Sequence, residues 1–508
     1  MSATYSVSHY NEYQQTKNKN LFEEIVDQMM LDGINPALHE KIKNLPLEDK
    51  RMAILAFLDK DRNLFMKIKS LISRENLSKM DYVKDVVRML REYVKVGEVE
   101  KKKFGEVMTS LDLVKEMIKT LPEEVWSNPD LKWIDPANGT GPFPIMVIYR
   151  LMVGLEKWQP DPNLRYKHIV ENMIYTCELQ AKNVFLWLCA VDPHDEYETN
   201  TYWGSFLDEG FDKHMKDVWG LDSLESFNVI LGNPPYNMGN RKNFYIDFFE
   251  RSLKLVKKDG FITFITPSRY VIQPEFLEFR KRIEEISKSV YIKNTGRIFG
   301  ENASFSTVYT TIYMGDGCDV DWISGFDDSV VRKVLNKSHK NYLETKRSKS
   351  LLRNKEERDS YDDVPLANHD KFFVNSKGNC ETPFRYLPFD KKETFIPKVF
   401  MTEFVGTGES KTLGKIYTDY YGEIGLATDS CMYIHTDDIE RQDSLKTYLS
   451  SKLIRYILNK VCQSSHANQT MRLIPDPTIE KVISSDKDLY EYFNLTEEEI
   501  NLIENSVK

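Results

Sequence analysis

Cysteine is the first thing in short supply. The 508 residues hold six, at Cys177, Cys189, Cys318, Cys380, Cys431 and Cys462, with no CxxC pair among them. Structural zinc sites usually draw on CxxC pairs, so this scatter argues against structural zinc and fits free thiols in a reducing cytosol. Long apolar runs are missing too. No stretch approaches the ~20 residues that cross a bilayer, and the opening MSATYSVSHYNEYQQTKNKN has no apolar signal segment. Together these predict a cytoplasmic chain with no membrane partner. Nor is there a surplus of positive charge, since the formal net charge is -9. That excludes a uniformly basic protein but not a nucleic-acid partner, because binding needs only a local basic surface. Internal repeats and low-complexity tracts are absent as well.

What is present describes a globular chain of several domains. Apolar residues make up 41% and charged residues 29%, enough to build real cores, and at ~150 residues per domain the length predicts about three. Residues 1–100 read as a helical accessory domain. NLFEEIVDQMML, DKRMAILAFLDKDRNLFMKIKSLI and MDYVKDVVRMLREYV repeat apolar residues at three-to-four spacing, punctuated by Pro36 and Pro46. From 101 to 320 short apolar runs alternate with helical stretches. LKWI (131–134), MIYTC (173–177), FNVIL (227–231) and FITFIT (261–266) predict strands, with helices at about 142–155, 181–190, 243–257 and 274–286. This alternation predicts an α/β fold whose parallel sheet is covered on both faces and binds ligands outside the carboxyl ends of its strands. Residues 321–508 mix basic stretches, short aromatic strands and helices such as LKTYLSSKLIRYILNKV, an α+β pattern. Between Arg332 and Arg358 ten Lys/Arg stand against three Glu, which is either a solvated helix face or a surface for DNA.

The sharpest chemistry lies in Gly232-Asn233-Pro234-Pro235-Tyr236, directly after FNVIL. Two prolines end the strand and stiffen the backbone, and neither offers an N–H. The Asn233 side-chain oxygen and the Pro234 carbonyl can then accept hydrogen bonds from one amino group, turning its lone pair toward an electrophile. Tyr236 offers a face for a flat base. Taken alone, the segment is also compatible with a plain Pro-Pro turn. About a hundred residues upstream, Asp135-Pro136-Ala137-Asn138-Gly139-Thr140-Gly141-Pro142-Phe143-Pro144 follows LKWI and opens a helix. Its glycines let a ligand approach the backbone, and the helix start favours negative charge. Asp135 suits an ammonium or hydroxyl better than a pyrophosphate, so an aminoacyl-bearing nucleoside fits better than a dinucleotide. Glu178 closes MIYTCE, where an acid can accept both ribose hydroxyls; by itself such a residue is more often a surface carboxylate.

In this order the segments resemble the amino-group DNA methyltransferases, specifically the N6-adenine enzymes of gamma-type motif order and the Eco57I-like modification methylases. The resemblance implies a Rossmann-like S-adenosylmethionine-dependent methyltransferase sheet at 101–320 and a target-recognition domain at 321–508. Phe104-Gly105-Glu106-Val107-Met108-Thr109 is similar to the family's first cofactor segment, which assigns Thr109 to the cofactor. DPANGTGPF is similar to the main glycine loop, assigning Asp135, Pro136, Asn138, Gly139, Gly141 and Phe143, with Glu178 as the ribose acid. Asn233, Pro234, Pro235 and Tyr236 match the catalytic loop, where Asn233 also borders the cofactor, and Tyr245 and Phe248 match the helix that follows. GFITFITPSRY is similar to the next strand. GRIFGENASFSTVYTTIYM resembles the last catalytic strand, where an aromatic flanks a flipped base; Phe299 is the first choice for it and Phe305 the second. The likeness is close over 104–315 and looser beyond, where LSSKLIRYIL followed by MRLIPDP resembles the ends of Eco57I-type methylases. One departure stands out. The family usually places an acid before the Phe that meets the cofactor's adenine, whereas YWGSFLDEG has Ser205 before Phe206 and Asp208 after it; either polar residue can supply that contact.

The resemblance implies methylation of adenine N6 in double-stranded DNA, with the base flipped out of the stack, S-adenosylmethionine as cofactor and no metal. Adenine rather than cytosine follows from Asn at the head of NPPY, where cytosine-N4 enzymes usually carry Ser. A restriction-modification setting would add a cognate endonuclease as partner. Nuclease activity in this chain is not expected, because the first hundred residues show no convincing PD…ExK pattern. His466, Asn468, Gln469 and Arg472 are candidate base or phosphate contacts. The closest rival is a release-factor glutamine methyltransferase, which shares NPPY and a helical N-terminal region but has no use for so long a C-terminal region. A binding protein on an inactive scaffold is disfavoured by the intact Asn233, Pro234 and Tyr236.

Overall fold

The computed structural model describes residues 109–507 apart from 193–195, 223, 238–242, 297–306, 326–327, 336–340, 353–363, 366, 375–382, 390–391, 404–412, 429 and 463–466, together with scattered positions before 109. The helical region expected over 1–100 therefore falls almost wholly outside the described residues, as do Phe299, Phe305 and His466. The chain divides into two compact units. The first comprises Met1–Thr266, Arg282–Ile292 and Val308–Val320; the second comprises Pro267–Lys281, Lys293–Thr307 and Asp321–Lys508.

Seven strands form the sheet of the first unit: β1 (Trp133–Asp135), β2 (Ile174–Glu178), β3 (Asn200–Trp203), β4 (Phe227–Gly232), β5 (Val256–Pro267), β6 (Ser287–Gly296) and β7 (Thr307–Met314). Their order is β3-β2-β1-β4-β5-β7-β6, and every pairing from β3 to β5 is parallel. Apolar strand residues such as Ile134, Val229, Ile230, Ile262 and Phe264 are fully buried, as expected where helices cover both faces of a parallel sheet. All four strands expected from the apolar runs form. The order reverses between β1 and β4, the switch point where sheets of this kind bind ligands.

The helices that matter to the site are α1 (Leu111–Ile118), α2 (Pro142–Gly154), α3 (Pro162–His168), α4 (Ala181–Val191), α5 (Glu209–Asp217) and α6 (Tyr245–Leu255). Ser110 caps α1 by accepting the Leu113 N–H, and Pro142 occupies a first-turn position of α2 where no N–H is needed. The long β1–β2 connection is explained by a second short helix. Asp161 caps α3 by accepting the N–H groups of Asn163 and Leu164, and a π-turn over Ile169–Met173 leads into β2. Beyond α1, Thr120 Oγ1 and Thr311 Oγ1 share a 2.6 Å hydrogen bond, and Thr263 Oγ1 donates to Thr311 Oγ1 at 3.2 Å. Tyr309 donates to Glu116 at 3.2 Å, so α1 is tied to β5 and β7.

The second unit holds a three-stranded sheet and a four-stranded sheet. The first contains β9 (Asp370–Phe373), β10 (Phe384–Leu387) and β13 (Gly425–Leu426). The second contains β8 (Lys346–Arg347), β11 (Lys398–Thr402), β12 (Tyr417–Asp419) and β14 (Cys431–His435). Phe373, Phe400, Leu426 and Cys431 form one of its apolar clusters. The run LKTYLSSKLIRYILNKV is two helices rather than one. Ser451 takes an extended conformation between Ile439–Ser450 and Lys452–Val461 and caps the second by accepting the Ile454 N–H. The basic stretch is not one helix face either. Among its described residues the helix Ser329–Val334 covers its start, and four cations meet acids: Arg332 with Asp321, Lys333 with Glu499, Arg347 with Glu403 and Lys349 with Glu393. Among the described residues no helix is long and apolar enough to cross a membrane.

Candidate active site

Four adjacent strands deliver the candidate residues to one edge of the sheet. Asp135 ends β1, Glu178 ends β2, Ser205 follows β3 and Asn233 follows β4. Parallel pairing puts all four carboxyl ends on the same side, which a sequence pattern alone could only anticipate.

The glycine loop after β1 is held from two directions. Asn138 N donates to Cys177 O on β2 at 2.9 Å, and Gly139 N donates to Glu178 Oε2 at 2.8 Å. Glu178 Oε1 accepts the Gln180 N–H at 2.7 Å, so both carboxylate oxygens brace backbone while keeping lone pairs for further donors. Gly139 and Gly141 have φ of +55° and +91°, a region that costs side-chain-bearing residues. Their surroundings differ. A Cβ on Gly141 would lie 2.4 Å from the Trp187 ring of α4, whereas one on Gly139 would meet nothing within 4 Å. Trp187 itself is fixed by donating to Thr201 Oγ1 at 3.0 Å. Open space over a left-handed glycine at a helix start is a cradle that a ligand can enter and a side chain would fill.

Two buried acceptors face no partner in this loop. Asp135 Oδ1 accepts the Ala137 N–H at 3.0 Å, but Asp135 Oδ2 and Asn138 Oδ1 are buried without a hydrogen bond. Leaving such atoms unsatisfied costs about 1–3 kcal/mol each, so they mark where a ligand's donor belongs. Burial pushes the Asp135 carboxyl up to about 8; the Ala137 N–H opposes the shift and the Glu178 charge adds to it. A cationic amino group from a bound ligand would restore the carboxylate. The aminoacyl end of S-adenosylmethionine carries such a group, and its ribose hydroxyls match Glu178. The residues therefore fit that cofactor.

The NPPY segment leaves β4 at Gly232, which packs so tightly that a Cβ would lie 2.6 Å from Asp135 Oδ1. Asn233 is half-buried, and its Nδ2 donates to Thr109 Oγ1 at 3.0 Å. That contact joins two segments 124 residues apart, and it commits the nitrogen end of the amide to Thr109, with Oδ1 as the acceptor end. Pro234 is buried and Pro235 partly so. Tyr236 is 4% exposed and stands edge-on to Tyr245 at 6.4 Å. Its hydroxyl is pushed well above its ordinary range by burial, with Tyr245 adding to the shift. A base could stack on Tyr236 only after one ring face is uncovered.

Phe206 and Phe248 come together as stacked rings 5.6 Å apart, 1% and 4% exposed, with the Arg251 guanidinium 5.6 Å over Phe206. Ser205 Oγ accepts the Leu207 N–H at 3.2 Å, bracing its own loop, while Asp208 is exposed ahead of α5. Phe143 is buried at the start of α2, and Tyr245 at the start of α6. Sequence reasoning missed the Thr109–Asn233 bond, the Gly139–Glu178 bond and the role of Trp187. A GxG loop signals that something large approaches the second glycine, but not which residue does.

Residues 165–302 match the family model described as Eco57I restriction-modification methylase. A Mycoplasma pneumoniae protein named an uncharacterized adenine-specific methylase is 26% identical over 255 residues, covering 35% of this chain and 59% of that one. The Escherichia coli type II restriction enzyme and methyltransferase RM.Eco57I is 25% identical over 187 residues, covering 30% of this chain and 18% of its own length. The chain thus spans under two thirds of either relative. Among solved structures, the type IIL restriction-modification enzyme MmeI in complex with DNA aligns at a TM-score of 0.43 and 10% identity, over 78% of this chain and 70% of that one. The matched span contains Glu178, Ser205, Asn233–Tyr236, Tyr245 and Phe248, and with them the middle of the sheet just described. Over residues 165–302 the chain is thus similar to the Eco57I restriction-modification methylases.

Proposed function

We propose that this chain methylates the N6 amino group of adenine in double-stranded DNA, using S-adenosylmethionine. One observation carries the reading: an amide oriented through its nitrogen end, Asn233, leaves the strand next to the loop whose buried Asp135 and Asn138 oxygens await a donor. S-adenosylmethionine would supply an electrophilic methyl group. Asp135 and Asn138 would hold its amino group, and Glu178 its ribose, while Phe206 and Phe248 would border its adenine with Ser205 as the nearer polar contact. Asn233 Oδ1 and the Pro234 carbonyl would accept the two N6 hydrogens, directing the nitrogen lone pair at that methyl. As the new C–N bond forms and the S–C bond breaks, with S-adenosylhomocysteine as the leaving group, the surplus N6 proton would pass along the hydrogen bonds to Asn233 Oδ1 and the Pro234 carbonyl and out to solvent. Positioning of the reactants supplies much of the rate. Tyr236, once uncovered, and one of Phe299 or Phe305 would flank the flipped base.

Residues 101–320 form the catalytic domain in this reading, 321–508 the target-recognition domain and 1–100 an accessory region. Among the candidate DNA contacts, Arg472 donates from its guanidinium to Thr345 O at 3.2 Å, which holds one edge of that head within the second unit. The family match supports DNA over a release factor as acceptor. Asn233→Ala should reduce methyl transfer to DNA by at least about a hundredfold while cofactor affinity persists. A normal rate with that variant, measured with labelled cofactor and plasmid DNA, would sink the mechanism. Sequencing of DNA from cells expressing the chain would give the modified base and the target word together.

A further inference from the structure

We propose that Thr109 is a positioning residue for the reaction: its hydroxyl holds the nitrogen end of the Asn233 amide, so that Oδ1 is presented to the acceptor amino group. The inference rests on the functional reading above and adds to it a residue that acts through Asn233 rather than on the cofactor alone.

An asparagine amide can flip end for end, and in a site that needs an acceptor a flipped amide presents two donors instead. Something must break that symmetry. Pro234 and Pro235 cannot, because neither has an N–H to hold Oδ1 or a side-chain acceptor to hold Nδ2. Thr109 holds one of the two arrangements: its Oγ1 lies 3.0 Å from Asn233 Nδ2 and accepts from it, and Thr109 is 2% exposed. Because a hydroxyl can also donate, the bond selects this end of the amide when the hydroxyl's own proton is spent elsewhere. The threonine is itself held in place. It directly precedes Ser110, the cap of α1, and beyond the other end of that helix Thr120, Thr311 and Thr263 link it to the central strands. A β-branched side chain, with its restricted χ1, gives the hydroxyl a defined direction. The contact thus runs from a rigid helix to the one amide whose orientation decides whether the site accepts or repels an amino group.

The test compares wild type, Thr109→Val, Thr109→Ser, Asn233→Ala and the double variant Thr109→Val/Asn233→Ala. Single-turnover methyl transfer to DNA is measured at saturating S-adenosylmethionine, and S-adenosylhomocysteine affinity by calorimetry on DNA-free protein. Valine keeps the shape and removes the acceptor. Thr109→Val should slow transfer about ten- to a hundredfold with product affinity within about threefold of wild type, and Thr109→Ser should restore most of the rate. The double variant should be no slower than Asn233→Ala alone, because both remove the same oriented amide. A Thr109→Val enzyme that transfers at the wild-type rate overturns the inference. So does one whose only defect is weaker cofactor binding, since that makes Thr109 a cofactor contact and nothing more. Both results leave the functional reading intact, because wild type still methylates and Asn233→Ala still fails. If wild type methylates no DNA, the functional reading falls and the inference is overturned with it.

Discussion

Two buried carboxylates of this chain, one in each unit, have opposite fates. Asp419, at the end of β12, is met on all sides. The fully buried Lys398 donates to its Oδ2 at 2.5 Å, and the N–H groups of Glu423 and Ile424 reach it at 2.8 and 3.0 Å. Lys398 spends its other donors on the carbonyls of Ile396 and Ile424. Asp135, at the end of β1, has one backbone N–H and a buried Oδ2 that meets nothing. A saturated pair closes a loop, and an unsaturated carboxyl at a sheet's carboxyl end waits for a ligand. Burial alone does not separate the two residues, at 4% and 2% exposure; the count of donors does.

The largest expected effect breaks the saturated side. Lys398→Met leaves Asp419 buried with its countercharge gone, which should destabilise the second unit by about 3–5 kcal/mol. Chemical denaturation would measure it. By the same reasoning Asp135→Asn removes a carboxyl that has no countercharge to lose and whose ionisation burial opposes, and should raise stability at pH 7 rather than lower it. If the two substitutions cost the same, the donor count does not carry the distinction.

The sequence made this contrast half legible. The strand ends were readable because apolar runs such as FNVIL stop sharply at Gly-Asn-Pro-Pro, and a parallel sheet then dictates that those ends share an edge. Asp135, Glu178 and Asn233 are therefore grouped by the sequence itself. Their partners are not. Thr109 meets Asn233 across 124 residues, and nothing in FGEVMTS says which side chain its hydroxyl will hold. Nothing in the sequence marks Lys398 and Asp419 as a buried pair, since only tertiary packing brings them together. Ser451 was hidden inside an uninterrupted apolar periodicity, although a serine pair there is a capping signal. The charge of the basic stretch from Arg332 is only partly readable, because a count along the chain omits acids such as Glu403 and Glu499 that arrive from elsewhere.

A smaller effect probes the space around the loop that Asp135 opens. Gly141→Ala should destabilise by about 1–3 kcal/mol, combining a strained φ with a clash, because its Cβ would drive into Trp187. Gly139→Ala carries the strain of φ +55° without the clash, and should cost about 1 kcal/mol. Ligand binding should rank them the other way. The Gly139 methyl would occupy the open cradle, so cofactor affinity should fall at least about tenfold in a protein that remains folded. Thermal melting and calorimetric titration of both variants measure the two rankings. Should Gly139→Ala bind S-adenosylhomocysteine as wild type does, the open space is not the cofactor's.

The finest test uses protons. With its carboxyl pushed up to about 8 by burial, Asp135 is protonated at pH 7 in the free chain, and an ammonium placed against Oδ2 would favour the carboxylate instead. Binding should then release a proton below pH 8. Cofactor affinity should rise from pH 6 toward pH 8 by up to about tenfold per unit, equivalent to about 1.4 kcal/mol, and flatten above it. Stability of the ligand-free chain should move in the opposite direction. The folded state holds this proton more tightly than the unfolded chain, so the contribution is complete below the ordinary carboxylate range and is lost as pH climbs toward about 8. Asp135→Asn should abolish both slopes, leaving weak binding that does not vary with pH. Titrations of S-adenosylhomocysteine in two buffers of different ionisation enthalpy would count the proton. A wild-type affinity that is level from pH 6 to 8, with no proton exchanged, would remove Asp135 from the amino-group site and leave Asn138 as the acceptor there.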